Sequence, residues 1–157
     1  SATTRTKRQG EGTELYHFVS EADFDAWIKK DAFLEYATVH QGARYGTLLS
    51  EILPKIDAGK TVVREVDVQG FESIRKHSLF SQGGKYTLQT IFILPESGEQ
   101  LLAHIQKRAP MEGEELKRRI ASMKKELLAA PETDVQVVNT EGKLEETIGA
   151  VERAIGL

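Results

Sequence analysis

Cysteine is absent from these 157 residues, which excludes disulfides and thiolate metal sites. Long hydrophobic runs are absent too. The longest, Ile91-Phe92-Ile93-Leu94, is far too short to span a bilayer, and no signal peptide is expected at the start. There is no excess of positive charge: the formal net charge is -3, so no global field draws the chain to nucleic acid. Internal repeats and low-complexity segments are missing. What is left is a chain long enough for one domain with a real core, of ordinary soluble composition and compatible with a reducing cytoplasm.

Basic residues are clustered locally even so: Arg5, Lys7 and Arg8, then Lys107, Arg108, Lys117, Arg118, Arg119, Lys124 and Lys125. Such clusters on an acidic chain suit a small phosphorylated ligand better than a polyanion. They also suit solvated helix faces.

Periodicity predicts a helix over residues 20–30, with Ser20 as N-cap, Asp23 at N3, and Phe24, Trp27 and Ile28 on one face. Residues 33–39 alternate as a strand. Residues 47–58 read as a helix closed by Gly59 and kinked or broken at Pro54. A strand is expected over 61–68, bounded by Gly70, then a short helix over 71–77 and a loop or hairpin over 78–88. A buried strand over 90–94 stops at Pro95. Helices come next at 98–108 and 112–129, the second striped by Leu116, Ile120, Met123 and Leu127. A short strand at 135–138 and a helix at 143–155, with Leu144, Ile148, Val151 and Ala154 or Ile155 inward, close the chain. Strands alternating with helices in the second half imply a parallel α/β sheet. Residues 5–58 read as a smaller mixed lobe inserted after the first strand.

Arg5 and Arg8, three apart, form a phosphate grip or a surface charge pair. Tyr16 and Tyr45 are hydroxyl donors or packing residues. Glu35 lies in an apolar strand and by alternation shares a face with Phe33 and Ala37; it either points inward, where it needs donors, or faces water at an edge. A carboxylate matches the adjacent ring N–H and amine of guanine, and Thr47 can add a hydroxyl. Asp67 ends the expected 61–68 strand, where acids in open α/β sheets hold Mg²⁺ directly or through water, and Glu65 points the same way. Arg108 and Arg119 sit on two consecutive helices, either folding over a triphosphate or lying on helix surfaces. His17, His40, His77 and His104 show no metal-ligand spacing.

Taken in order, these segments resemble the guanylate kinase family. The pieces are Thr3-Thr4-Arg5-x-x-Arg8-x-Gly10-Glu11, Tyr16-x-Phe18-Val19, Phe33-x-Glu35, Tyr45-Gly46-Thr47, Gly59-Lys60 and Val66-Asp67-Val68-Gln69-Gly70. Ile91-Phe92-Ile93-Leu94-Pro95, Arg119-Ile120 with Glu126-Leu127, and Val137-Val138-Asn139 complete the set. The resemblance implies a P-loop-kinase-like parallel sheet with helices on both faces, a small inserted GMP-binding lobe over 5–58, a core of 1–4 and 59–157, and a helical lid near 98–122. It implies phosphoryl transfer from ATP to GMP with Mg²⁺ in cytoplasmic purine nucleotide metabolism. Ser1, Arg5, Arg8, Tyr16 and Tyr45 would surround the GMP phosphate. Glu35 and Thr47 would read guanine, and Glu65 and Asp67 would face GMP and the metal. Arg108 and Arg119 would be lid arginines, and Asn139 would lie on the ATP side.

The chain departs from that pattern in several places. One residue is missing between Glu11 and Tyr16, and one is added between Glu35 and Tyr45. His104 stands where the first lid arginine is expected. No G-x-x-x-x-G-K-[ST] phosphate loop occurs among the 157 residues. The resemblance places that loop on a strand before the segment that opens here. The chain as it stands is therefore expected to bind GMP weakly and turn over ATP negligibly. A non-catalytic module binding GMP or phosphopeptides, and an inactive fragment, are the other readings.

Overall fold

A computed structural model describes residues 1–8, 11–12, 16–38, 42–108 and 113–156, the side chain of Arg108 excepted. The chain divides into two compact units, Ser1–Thr87 and Leu88–Leu157.

The first unit is built on a four-stranded sheet. Its strands are β1 (Ala2–Thr3), β2 (His17–Phe18), β3 (Phe33–Thr38) and β4 (Arg44–Leu48), in the order β2-β1-β4-β3. β1 runs parallel to β2 and antiparallel to β4, and β3 and β4 are antiparallel. Helix α1 (Glu21–Lys29) starts as its sequence predicts: the Ser20 hydroxyl oxygen accepts from the Asp23 N–H at 3.1 Å. The helix buries Phe24 in a cluster with Ala2, Phe33 and Leu48, onto which Val19, Trp27, Ile28 and Ala32 pack. Phe24 stacks on Phe33 with ring centroids 4.5 Å apart. The outer side of that ring is covered by the Arg44 guanidinium, 4.6 Å from its centroid and held by Glu21 and Asp25.

Helix α2 (Leu49–Asp57) is shorter at its start than its sequence suggests, because Thr47 and Leu48 belong to β4. Pro54 lies inside it without breaking it. Its end is a Schellman motif: Gly59, at φ +75°, donates to Ile56 O, and Lys60 donates to Lys55 O.

The expected strand over 61–68 does not form. Residues 61–67 carry no ladder, and Val63 is 64% exposed. Val-rich sequence gives a strand only when a neighbour takes its N–H and C=O groups, and no described strand does so here. Helix α3 (Val68–Lys76) starts three residues early instead, because the Asp67 carboxylate accepts from Gly70 N–H at 2.8 Å and caps it. Residues 78–88 are a loop, tied by Tyr86 N–H to Leu79 O and by Lys85 and Tyr86 on Asp57.

In the second unit β5 (Ile91–Pro95) and β6 (Val135–Asn139) pair in parallel, the arrangement the alternating elements imply. Between them run α4 (Gly98–Arg108), α5 (Gly113–Leu127) and a single 3-10 turn at Ala130–Glu132 carrying Pro131. Helix α6 (Leu144–Ala154) packs on β6 with a face only partly the one expected. Val151 and Ala154 are half-buried, but Leu144 and Ile148 are exposed at 61% and 40%, and Thr147 is buried and donates to Asn139 Oδ1 at 3.1 Å. No helix among the described residues is long and apolar enough to cross a membrane.

Phe24 has no exposed surface and sits at the centre of the first unit's core. Phe24→Ala is expected to cost about 3 to 5 kcal/mol, read as a lower urea midpoint at unchanged slope.

Candidate functional site

The two faces of the β3–β4 hairpin have different tasks, and one irregularity separates them. The register shifts between Phe33 and Glu35: Phe33 pairs with Leu48, and Glu35 pairs with Thr47. A bulge of this kind inserts a residue and re-aims the side chains beyond it. Phe33 and Leu34 are therefore both buried, and Glu35 no longer shares the face of Phe33 as simple alternation predicts. Gly46 lies against the Phe33 ring, where a Cβ would come within 2.7 Å, so Tyr45-Gly46-Thr47 needs glycine at its centre. Tyr45 and Thr47 then project together on the side opposite the core.

Two polar groups assemble on that side. In the first, Thr47 Oγ1 donates to Glu35 Oε1 at 2.5 Å. Arg64 Nη2 donates to Thr47 Oγ1 at 2.9 Å and to Ser1 Oγ at 2.8 Å. Thr47 is buried and Glu35 half-buried. The second group is centred on Arg5, at the point where the chain leaves β1. Its Nε donates to the Tyr45 hydroxyl at 3.0 Å, and its two terminal nitrogens grip Glu11 at 2.9 and 2.6 Å. The guanidinium lies 5.4 Å from the centre of the Tyr16 ring and 5.2 Å from that of Phe18. Tyr16 meets Tyr45 edge-on at 5.9 Å.

The structure thus brings together Ser1, Arg5, Tyr16, Glu35, Tyr45 and Thr47 on one sheet. Arg8 contributes its backbone N–H to Glu11 at 3.0 Å, while its side chain is exposed and makes no hydrogen bond to the described residues. Glu65 is exposed, and Asp67 is engaged at one oxygen as the α3 cap. In the second unit Arg119 is exposed on α5, and Asn139 holds Thr147. The side chain of Arg108 lies outside the described residues. His104 faces Glu141 at 3.6 Å. Among the described residues no group of three or more His, Asp or Glu side chains is placed to hold a metal ion.

Two participants were given no role by the sequence reading. Glu11 is the counter-ion of Arg5; the signal was its place in the Arg-rich opening run. Arg64 interrupts a valine-rich segment, and a charge there was the sign that the segment is not wholly buried.

Arg5 and Glu11 hold each other charged. The hydrogen bond from Arg5, helped by the Arg8 N–H, lowers the Glu11 carboxyl from its ordinary 4.5 to about 2, and Glu11 in turn raises the Arg5 guanidinium. A carboxyl depressed on folding stabilises the fold above its unfolded value and loses that contribution as pH falls through its folded value. The Arg5–Glu11 contribution is therefore complete above about pH 4.5 and lost towards pH 2. Glu11→Gln should flatten this part of the stability–pH curve. A carbon-detected NMR titration should place the Glu11 midpoint near 2 in the unmodified chain.

Comparison with known proteins shows the family. The family profile described as guanylate kinase matches residues 1–156. A guanylate kinase of Nostoc sp. is 38% identical over 156 residues, 99% of this chain and 73% of that protein. One of Leifsonia xyli is 38% identical over 140 residues, covering 88% of this chain and 52% of its own length. The chain thus spans about half of one relative and about three-quarters of the other. The crystal structure of guanylate kinase from Anaplasma phagocytophilum superposes with a TM-score of 0.68 at 25% identity, over 98% of this chain and 72% of that one. By sequence over nearly its whole length, and by fold, the chain belongs to the guanylate kinase family.

Proposed function

We propose that the chain serves an ATP:GMP phosphotransferase, moving the terminal phosphoryl group of ATP onto GMP to give ADP and GDP in cytoplasmic purine nucleotide metabolism. The observation that carries this reading is the Glu35–Thr47 pair beside the Arg5–Tyr16–Tyr45 group on one sheet face. A carboxylate with one oxygen unengaged among the described residues suits the paired ring N–H and amine donors of guanine, which adenine lacks. Arginines and phenols suit the phosphate.

Arg5 is nearly saturated by Tyr45, Glu11 and Thr6 O. Its role is to fix the Tyr45 hydroxyl and to present the single remaining hydrogen on Nη2. The exposed Arg8 guanidinium is the one able to swing onto the anion. In the transfer, a GMP phosphate oxygen attacks the γ-phosphorus of ATP, and the bond to the β–γ bridging oxygen breaks, releasing ADP. Arg108 and Arg119 are assigned the neutralisation of phosphoryl charge, and Asn139 the ATP side.

Mg²⁺, when bound, neutralises the phosphate oxygens of ATP. Asp67 is a hard oxygen donor with Oδ2 unengaged among the described residues, and a lone carboxylate suits a cation that keeps most of its waters. Asp67, acting through water, with Glu65 beside GMP, completes the assignment.

Calorimetric titration tests the nucleotide lobe. GMP should bind at least about tenfold more tightly than AMP, and Glu35→Ala should cut that preference at least about threefold. An unchanged preference in the variant would exclude Glu35 as a reader of the base. These 157 residues contain no phosphate loop, so in a coupled assay with ATP, GMP and Mg²⁺ they should show negligible turnover. A rate in the ordinary kinase range, roughly 1–100 s⁻¹, would contradict the need for that loop.

A further inference from the structure

Thr47 has one hydroxyl hydrogen, and it is given to Glu35 Oε1. The Thr47 oxygen meanwhile accepts from Arg64 Nη2. In this arrangement Thr47 has no hydrogen left for an acceptor on a bound base. The donors next to it belong to Arg64, whose Nε and Nη1 make no hydrogen bond to the described residues and whose side chain is exposed. Resting on the GMP reading above, we infer that Arg64 determines base specificity by donating to the 6-oxo edge of guanine while Glu35 accepts from the two donors beside it.

The geometry suits one purine edge. Glu35 Oε1 and Arg64 Nη2 bond to the same hydroxyl oxygen, so an acceptor and a donor group lie within roughly 5 Å of each other, linked but not fused into a direct ion pair. Guanine presents the complementary order along its edge: amine, ring N–H, then the 6-oxo oxygen, with N7 beyond. With both Nη2 hydrogens committed to Ser1 and Thr47, one remaining N–H of Arg64, on Nε or Nη1, matches the 6-oxo oxygen. Adenine carries an amine where guanine carries the oxygen. That amine faces the Arg64 donors, so the same residue favours guanine and disfavours adenine. Ser1 Oγ, the second acceptor of Nη2, steadies the side chain from β1 without engaging the other two nitrogens.

The test uses GMP and 6-thio-GMP, which differ by one atom. Both keep the ring N–H and amine that Glu35 reads. By calorimetry at neutral pH the unmodified chain should favour GMP roughly tenfold. Arg64→Leu should weaken GMP about tenfold and bring the two ligands within twofold of each other. Arg64→Lys, which keeps a charged donor, should retain at least about threefold preference and serves as the reading if the leucine variant fails to fold by circular dichroism. A merely structural role for Arg64 would weaken both ligands alike and leave their ratio unchanged, and that result overturns the inference. So does an unmodified chain that prefers GMP over AMP but does not distinguish GMP from 6-thio-GMP, an outcome that spares the function proposed above. No preference for GMP over AMP overturns both.

Discussion

The register shift between Phe33 and Glu35 is the constraint on which the first unit depends. It lets one hairpin serve two environments. On one face Phe33 and Leu48 join Ala2 and Phe24 in the core. On the other, Glu35 meets Thr47. Without the extra residue, Glu35 would share the face of Phe33, and a carboxylate would enter an apolar cluster with no donor to receive it, at a cost of several kcal/mol. Gly46 is the second half of the same solution, since it alone leaves room for the Phe33 ring beneath the strand that carries Tyr45 and Thr47.

The polar face is arranged by charge matching. Arg5 is fixed by a carboxylate, a phenol and two aromatic rings, and Glu11 is kept ionised by that grip. The Glu35 end is organised differently: the Thr47 hydroxyl bridges a carboxylate and a guanidinium, so acceptor and donor are set side by side.

Much of this was legible in sequence because it is local. Ser20 and Asp23 announce the start of α1, and Gly59 announces the end of α2, through backbone geometry that needs no distant partner. The Arg5, Tyr45, Thr47 and Glu35 side chains were legible as residue types suited to a nucleotide. What escaped was set by pairing. The valines of 61–68 have strand propensity but no partner strand among the described residues, and the Asp67 carboxylate begins α3 instead. The bulge that re-aims Glu35 leaves no mark in an alternating pattern. The buried face of α6 turns Leu144 and Ile148 outward and takes in Thr147, whose hydroxyl finds an acceptor in Asn139. Arg64 reaches Thr47 across seventeen residues, a contact no spacing rule suggests.

The most direct test is a crystal structure of the chain soaked with GMP. The purine should lie with its ring N–H and amine on Glu35, its 6-oxo oxygen towards Arg64, and its phosphate among Arg5, Arg8, Tyr16 and Tyr45. A nucleotide bound with Glu35 out of hydrogen-bond reach of the base, or bound only to the second unit, would contradict the assignment of the β3–β4 face as the guanine site.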